Sequence, residues 1–487
     1  MRQRSITVLS ALLLVTAFFA APAGASHNAD QHSPNASLLF NSPNATGAIN
    51  SDLAFWGNRA YAGNYDGFRI FDISNPATPQ QLVDFRCRGP QVDPIVWQNK
   101  LLFLAVDSVM TSADCGAPPA ANPETPTGWE GVRIFDVSDP TSPKYVKGVY
   151  TDCGAHTISL YPKSRNELLI YVSSYPLRPG PTCGPVRGPA TGNSALHEKI
   201  SVIKVPVNAP AAAKVIAQPT VSYPGDPDNA FDPVEHGVPA GVFNPLTACH
   251  DIGVFVKLRL AAGACAEQTQ LWRIKPNGIP DTEHPIWVFD DNTDVDGPGG
   301  GDVAVDFWHT ARFTWDGKYV QADDESFGDG CPPTTEWADG TVNDTGRPHL
   351  IRVSDGQRVS FFDLPRTEAS AYCSVHQGNF VPVRGRYLSV NAWYMGGMNV
   401  IDWTDPANPV EVAYYDIAPA GATGSDNWSA YWYEGPSLPG DSLTIYGTDG
   451  VHNPATGRGF QVFRVDLAAD EVNLGHLNPQ TQEDPIT

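Results

Sequence analysis

The chain has 487 residues, with 31 Lys+Arg against 53 Asp+Glu and a formal charge of −22. That acidity argues against nucleic-acid and anionic-membrane partners, since both call for a basic surface. Its 44 Gly and 44 Pro fit a turn-rich β protein, and 41% apolar residues with 12 Trp, 17 Tyr and 21 Phe exclude wholesale disorder.

Residues 1–25 read as a secretory signal peptide. Arg2 and Arg4 supply the positive start, an apolar run extends from Ile6 to about Ala21, and Ala23-Gly24-Ala25 is a small-x-small cleavage site. The expected product is a secreted, extracellular protein beginning near Ser26. No later stretch reaches the roughly 18 uninterrupted apolar residues of a spanning helix. Residues 26–44 read as an N-terminal extension, 45–477 as the folded body and 478–487 as a C-terminal tail.

The body is built from a repeat. GFRIFDISNPATPQQLVDF (67–85), GVRIFDVSDPTSPKYVKGVY (131–150) and GMNVIDWTDPANPVEVAYYD (397–416) are copies of one unit. Each holds an alternating apolar run, an Asp, a Pro-containing turn and a second alternating run, which reads as a β-hairpin. Weaker copies lie at 198–217, 269–290, 348–365 and 459–477. A second hairpin precedes each copy, at 53–65, 94–106, 156–174, 250–266, 309–323, 376–393 and 428–449. Seven units of four strands predict an all-β fold, a seven-bladed β-propeller.

The segment GVRIFDVSDPTSP and its relatives resemble the LVIVD repeat, a hairpin signature of exported bacterial proteins. The resemblance implies a propeller and an exported address, and it implies little about activity.

Aligning the seven units on the start of their innermost strand superposes Ser51, Val92, His156, His250, His309, His376 and Trp428. Four successive blades therefore place a histidine at one position, although the chain has only 12 His. Equivalent inner-strand residues face a common axis, so His156, His250, His309 and His376 are the candidate metal ligands, with Cu, Fe or Zn as the matching ions. The other half of the ring would hold Trp428, Ser51 and Val92, beside Asp52 and Asp93, leaving an open side. Asp251 is a candidate partner for His250, although strand alternation points it away from the axis. A packing role, in which the imidazoles only fill the channel, competes with the metal site at even weight.

Eight cysteines, Cys87, Cys115, Cys153, Cys183, Cys249, Cys265, Cys331 and Cys373, form an even set in an exported chain and read as disulfides. Nearest-neighbour pairing gives Cys87–Cys115, Cys153–Cys183, Cys249–Cys265 and Cys331–Cys373, which would staple loops on the top face. Thiolate ligation is the rival, from Cys153-x-x-His156, Cys249-His250 and Cys373-x-x-His376. Long segments at about 107–129, 175–197 and 323–347 mark the top as the binding face. Asp323-Asp324-Glu325 reads chiefly as an exposed acidic turn, and secondarily as a cation or acid/base group. Asp291, Asp294 and Asp296 form an incomplete calcium loop, the weaker of the cofactor expectations. Trp308, Trp393, Trp428 and Trp432 read as packing rather than as stacking platforms. No hydrolase elbow, zinc-protease helix or nucleotide loop is present in the sequence.

Two functions stand open. One is a metal-dependent enzyme, an oxidoreductase in preference to a hydrolase, with no catalytic residue assigned. The other is a non-catalytic extracellular propeller, expected as a monomer, that binds a small molecule, protein or glycan.

Overall fold

The computed structural model describes residues 29–467 apart from 90, 124, 175–179, 183–197, 224–247, 267, 291–304, 306, 327–328, 332, 337–341, 367–370, 384, 418–425, 434, 436–441 and 451–457. The signal-peptide segment, the C-terminal tail, Cys183 and the candidate calcium loop at 291–297 lie outside the described residues.

Seven antiparallel sheets form seven blades, six of four strands and one, blade 6, of four with a short fifth added at its outer edge. Blade 1 comprises Asn50–Trp56, Arg59–Asn64, Gly67–Asp72 and Gln80–Arg86, in that order from the axis outward. The innermost strands of blades 2 to 7 are Pro94–Trp97, Thr157–Ser164, Asp251–Phe255, Trp308–Phe313, Gly378–Val383 and Asn427–Trp432. Among the described residues the helical content is one 3₁₀ turn, Pro210–Ala212. No helix there is long and apolar enough to cross a membrane.

The repeat signature has a local physical basis. Its Asp accepts a backbone N–H two residues on, at 2.8 Å for Asp72 from Ser74, 3.0 Å for Asp136 from Ser138 and 2.8 Å for Asp402 from Thr404. These side-chain turns stop the third strand and aim the chain into the fourth. The leading glycines, Gly67 and Gly131, have φ of 144° and 141°, and a Cβ on either would collide with the carbonyl of Phe85 or Val149 in the paired strand. The repeat's buried Arg likewise binds backbone: Arg133 donates to Arg88 O at 2.5 Å and to Ala113 O at 2.9 Å.

Alternation sorts each strand between two neighbours. Leu53 and Phe55 pack with Tyr431 and Tyr446 of blade 7, whereas Ala54 and Ile70 pack with Val96 and Leu102 of blade 2. One apolar cluster of this kind lies between every adjacent pair of blades, around the whole ring. Fully burying a Leu, Ile or Phe there contributes roughly 1.5–3 kcal/mol. The half-buried character expected from alternation holds for outer strands such as Gln80–Arg86. The inner three strands are buried on both faces.

The ring closes differently from the sequence reading. Ala36–Pro43, placed in an N-terminal extension, pairs with Gly459–Val465 and is the outermost strand of blade 7. The hairpin expected at 459–477 thus contributes its first strand, and its partner comes from the other end of the chain. Arg69 of blade 1 adds a clasp, donating to Ser42 O at 3.0 Å and Pro43 O at 3.1 Å. Gln31–His32 extends blade 6 by pairing with Val410–Asp416.

Cys87–Cys115, Cys249–Cys265 and Cys331–Cys373 are disulfides, as nearest-neighbour pairing expects. Cys153 is also disulfide-bonded, and its expected partner Cys183 lies outside the described residues. Among the described residues no cysteine is free, so thiolate ligation is overturned there. Above blade 5 a small sheet of Asp329–Gly330, Pro333–Glu336 and Val342–Asp344 decorates the top.

Candidate metal centre

The four histidines arrive at the axis by equivalent backbone anchoring. The amides of His156, His250 and His376 donate to Ser173, Ala264 and Ala392 at 2.8, 2.8 and 2.9 Å, each tying the entry to an inner strand to the neighbouring strand of its blade. His309 lies inside Trp308–Phe313, next to a bulge against Tyr319–Asp324. The imidazoles form an arc. Ring centroids are 4.4 Å apart for His156 and His250, 3.8 Å for His250 and His309, and 4.0 Å for His309 and His376. Trp428 continues the arc, 4.6 Å from His376. All four histidines are at most 5% exposed.

Outer contacts orient the rings. His376 Nδ1 donates to Trp428 O at 2.6 Å, since a carbonyl only accepts, and its Nε2 points toward Glu325 Oε1, 3.9 Å away. His156 Nδ1 meets Asp107 Oδ2 at 2.9 Å. His309 Nδ1 lies 3.1 Å from Thr310 Oγ1, and its Nε2 is 3.6 Å from Glu325 Oε2. Burial, reinforced by the neighbouring imidazoles, holds His250 and His309 well below the usual histidine range, so both rings are neutral.

Among the described residues, the group with metal-binding spacing is His250, His309 and Glu325, whose ligating atoms all lie within 4.8 Å of one another; His156 and His376 stand outside that set. Glu325 corrects the sequence reading of an exposed acidic turn. Asp323 and Asp324 are fully buried, and Glu325 turns inward. Asp323 pairs with buried Arg312 at 2.6 Å. Asp324 accepts the amides of Phe307 at 2.9 Å and Gly346 at 2.6 Å. Tyr394 Oη donates to Glu325 Oε1 at 2.6 Å. The missed signal was position: these carboxylates end the second strand of a histidine-bearing blade, where the chain returns to the top of the channel.

Beside the arc is a gap lined by all four histidines, with Asp52, Asp93, Val92 and Trp428 among its other walls, and with space for about one water-sized group. Ser51, aligned with the ring, donates instead to Val92 O at 2.5 Å and braces blades 1 and 2. Asp52 and Asp93 are hydrogen-bonded to each other in a fully buried setting. Burial pushes Asp52 up to about 6 and Asp93 well above the usual carboxylate range. Asp251 turns toward Thr157 Oγ1, at 3.3 Å, and the Ile252 amide, at 2.7 Å, as strand alternation requires. Burial raises it to about 7. Trp308 and Trp393 are buried core residues, Trp432 is 3% exposed, and only Trp428 of the four reaches the gap.

No curated protein matches the chain. Its fold is similar to a Bacteroides fragilis protein assigned as a 6-phosphogluconolactonase, at 12% identity and a TM-score of 0.44, covering 88% of this chain and 98% of that one. It is similar to the Dos1 propeller at 10% identity and a TM-score of 0.44, covering 87% and 81%. The Cps50 (Swd1) β-propeller domain of Myceliophteria thermophila gives 9% identity and a TM-score of 0.46, covering 88% and 99%. In sequence, the LVIVD repeat model matches residues 49–84 and 127–151, which are blade 1 and the outer half of blade 2, so this seven-bladed propeller carries LVIVD repeats.

Proposed function

We propose that the axial group is a transition-metal centre of an exported propeller, with His250, His309 and Glu325 as its core ligands and His376 and His156 beside them. The observation that carries this reading is the convergence of two neutral imidazoles and one carboxylate within 4.8 Å. Imidazole with carboxylate suits Zn, Fe and Cu, and three protein ligands with one side left open is the arrangement of a catalytic rather than a structural ion. The open side is the gap toward Asp52 and Asp93. Imidazole with carboxylate accommodates redox-active Fe and Cu, which supports an oxidoreductase, and Tyr394 and Trp428, packed on His376 at 4.7 and 4.6 Å, close the flank of the group. When bound, the metal would supply redox or Lewis-acid chemistry. The chain's own residues hold His250 and His309 neutral, orient His156 through Asp107 and His376 through the Trp428 carbonyl, and keep bulk water out.

The test is elemental analysis of the untagged mature protein beside a His250→Ala/His309→Ala variant. Near-stoichiometric Cu, Fe or Zn in the wild type and none in the variant supports the reading. A wild type that holds no metal and refuses added metal overturns it. The narrow gap and the small sheet above blade 5 favour one second reading, a non-catalytic extracellular module binding a small molecule, protein or glycan on its top face. That reading expects the double variant to keep its ligand.

A further inference from the structure

Resting on the metal-centre reading, we infer that the open position of this centre is size-selective and admits only a ligand of water-like dimensions, such as water itself or a single-atom anion. Three observations support it. The gap that the four imidazoles share has room for about one water-sized group. Its far wall is the hydrogen-bonded pair Asp52 and Asp93, fixed from behind, since Asp52 accepts the Leu53 amide at 2.8 Å and Asp93 accepts the Ile158 amide at 2.7 Å. The bond between Asp52 and Asp93 joins blade 1 to blade 2, and the Ile158 bond joins blade 2 to blade 3, so the wall cannot retreat without parting blades. Its mouth is bounded by Trp428, whose ring packs against His376 and whose carbonyl holds His376 Nδ1 at 2.6 Å. Gln377 beside it is anchored in turn, its Oε1 accepting Tyr431 Oη at 3.3 Å. Both walls are thus tied to backbone, and packed interiors resist expansion even by one methylene.

The pocket polarity sharpens the ligand class. The Asp52 and Asp93 carboxyl oxygens and the imidazole nitrogens give the gap polar groups that a water or small anion can meet, while Val92 and Trp428 wall its remaining side. An organic substrate would then meet the centre from above, at the rim of Trp428, and only its small reaction partner would enter.

The experiment uses the full mature protein loaded with Cu(II). Loading is followed by electron paramagnetic resonance, and the copper signal is titrated separately with fluoride, one atom, and azide, three atoms in a row. Fluoride is expected to change the copper spectrum, while azide leaves it unaltered and develops no charge-transfer band. In Trp428→Ala, checked for native circular dichroism, azide affinity is expected to rise by roughly tenfold or more as the mouth opens. Azide binding to the wild type as tightly as fluoride overturns the size limit, and this comparison needs no variant. Copper that binds but ignores fluoride overturns the open position while leaving the metal centre standing. Failure of copper to bind at His250 and His309 overturns the metal reading and this inference together.

Discussion

Tyr394 Oη donates a 2.6 Å hydrogen bond to Glu325 Oε1, joining a residue of blade 6 to the carboxylate that faces His309 of blade 5. Tyr394 is itself pinned to blade 7, exchanging backbone hydrogen bonds with Asn427 at 3.2 and 3.0 Å, and it keeps a left-handed φ of 42° to do so. Outer partners of this kind commonly set metal affinity by about 10- to 100-fold. Tyr394→Phe is therefore expected to weaken metal binding by about tenfold, and Glu325→Gln by more, in a chelator competition titration. Equal affinities in wild type and both variants would remove Glu325 from the ligand set.

A second outcome concerns pH. Glu130 is 3% exposed, and burial, with Asp107 and Asp152 nearby, raises it to about 8 from an ordinary value of 4.5. The folded protein thus holds a proton that the unfolded chain releases between those values, so stability is greatest below the lower one and falls as pH rises toward the upper. Urea unfolding from pH 5 to 9 is expected to show a decline of a few kcal/mol that is flattened in Glu130→Gln. An unchanged slope in the variant would show that Glu130 does not titrate this way.

The Cys331–Cys373 disulfide closes a loop of sequence separation 42 that begins just after the Glu325 segment. Beside it, Ser374 Oγ accepts the Ser326 amide at 2.8 Å, and Tyr372 Oη donates to Ser326 O at 2.5 Å, so the bridge and the ligand loop share their anchors. Replacing both cysteines with Ser is expected to cost about 2–4 kcal/mol in chemical denaturation. Metal affinity should fall in the same variant. Lost stability with intact affinity would separate the bridge from the site.

Ring closure is testable by truncation. Removing residues 26–44 takes away the outer strand of blade 7 and leaves the Arg69 guanidinium, 1% exposed, without the Ser42 and Pro43 carbonyls. Asn50 Oδ1, at 3.3 Å, still accepts from it, but a buried charge stripped of most of its partners is costly, and a loss of about 3 kcal/mol is expected, with a broadened thermal transition. A truncated protein that melts like the full chain would show that the other blades close the ring alone.

Much of the molecule was legible from residue order. The Asp and Pro turns, the leading Gly67 and Gly131 and the alternating runs each act within a few residues, so they announce hairpins wherever they occur. Repetition then places His156, His250, His309 and His376 at one structural position, because equivalent strands start at equivalent heights. Three disulfides were legible for a related reason, as their cysteines stand before inner strands or at or after the ends of second strands, at the same end of the ring. Glu325 was not, because it lies beyond the last residue of its strand, Asp324, where period-two alternation no longer says which way a side chain turns. Asp107 was hidden likewise, since its partner His156 is 49 residues away in the next blade.

Local chemistry within the chain thus determined the strands, the seven-fold repeat and the histidine register. Tertiary structure alone decided three things: that Ala36–Pro43 completes the last blade, that Glu325 faces the imidazoles, and that Asp52 and Asp93 wall the gap. Each depends on contacts between residues far apart in sequence, and those are fixed only when seven apolar inter-blade interfaces close into one ring.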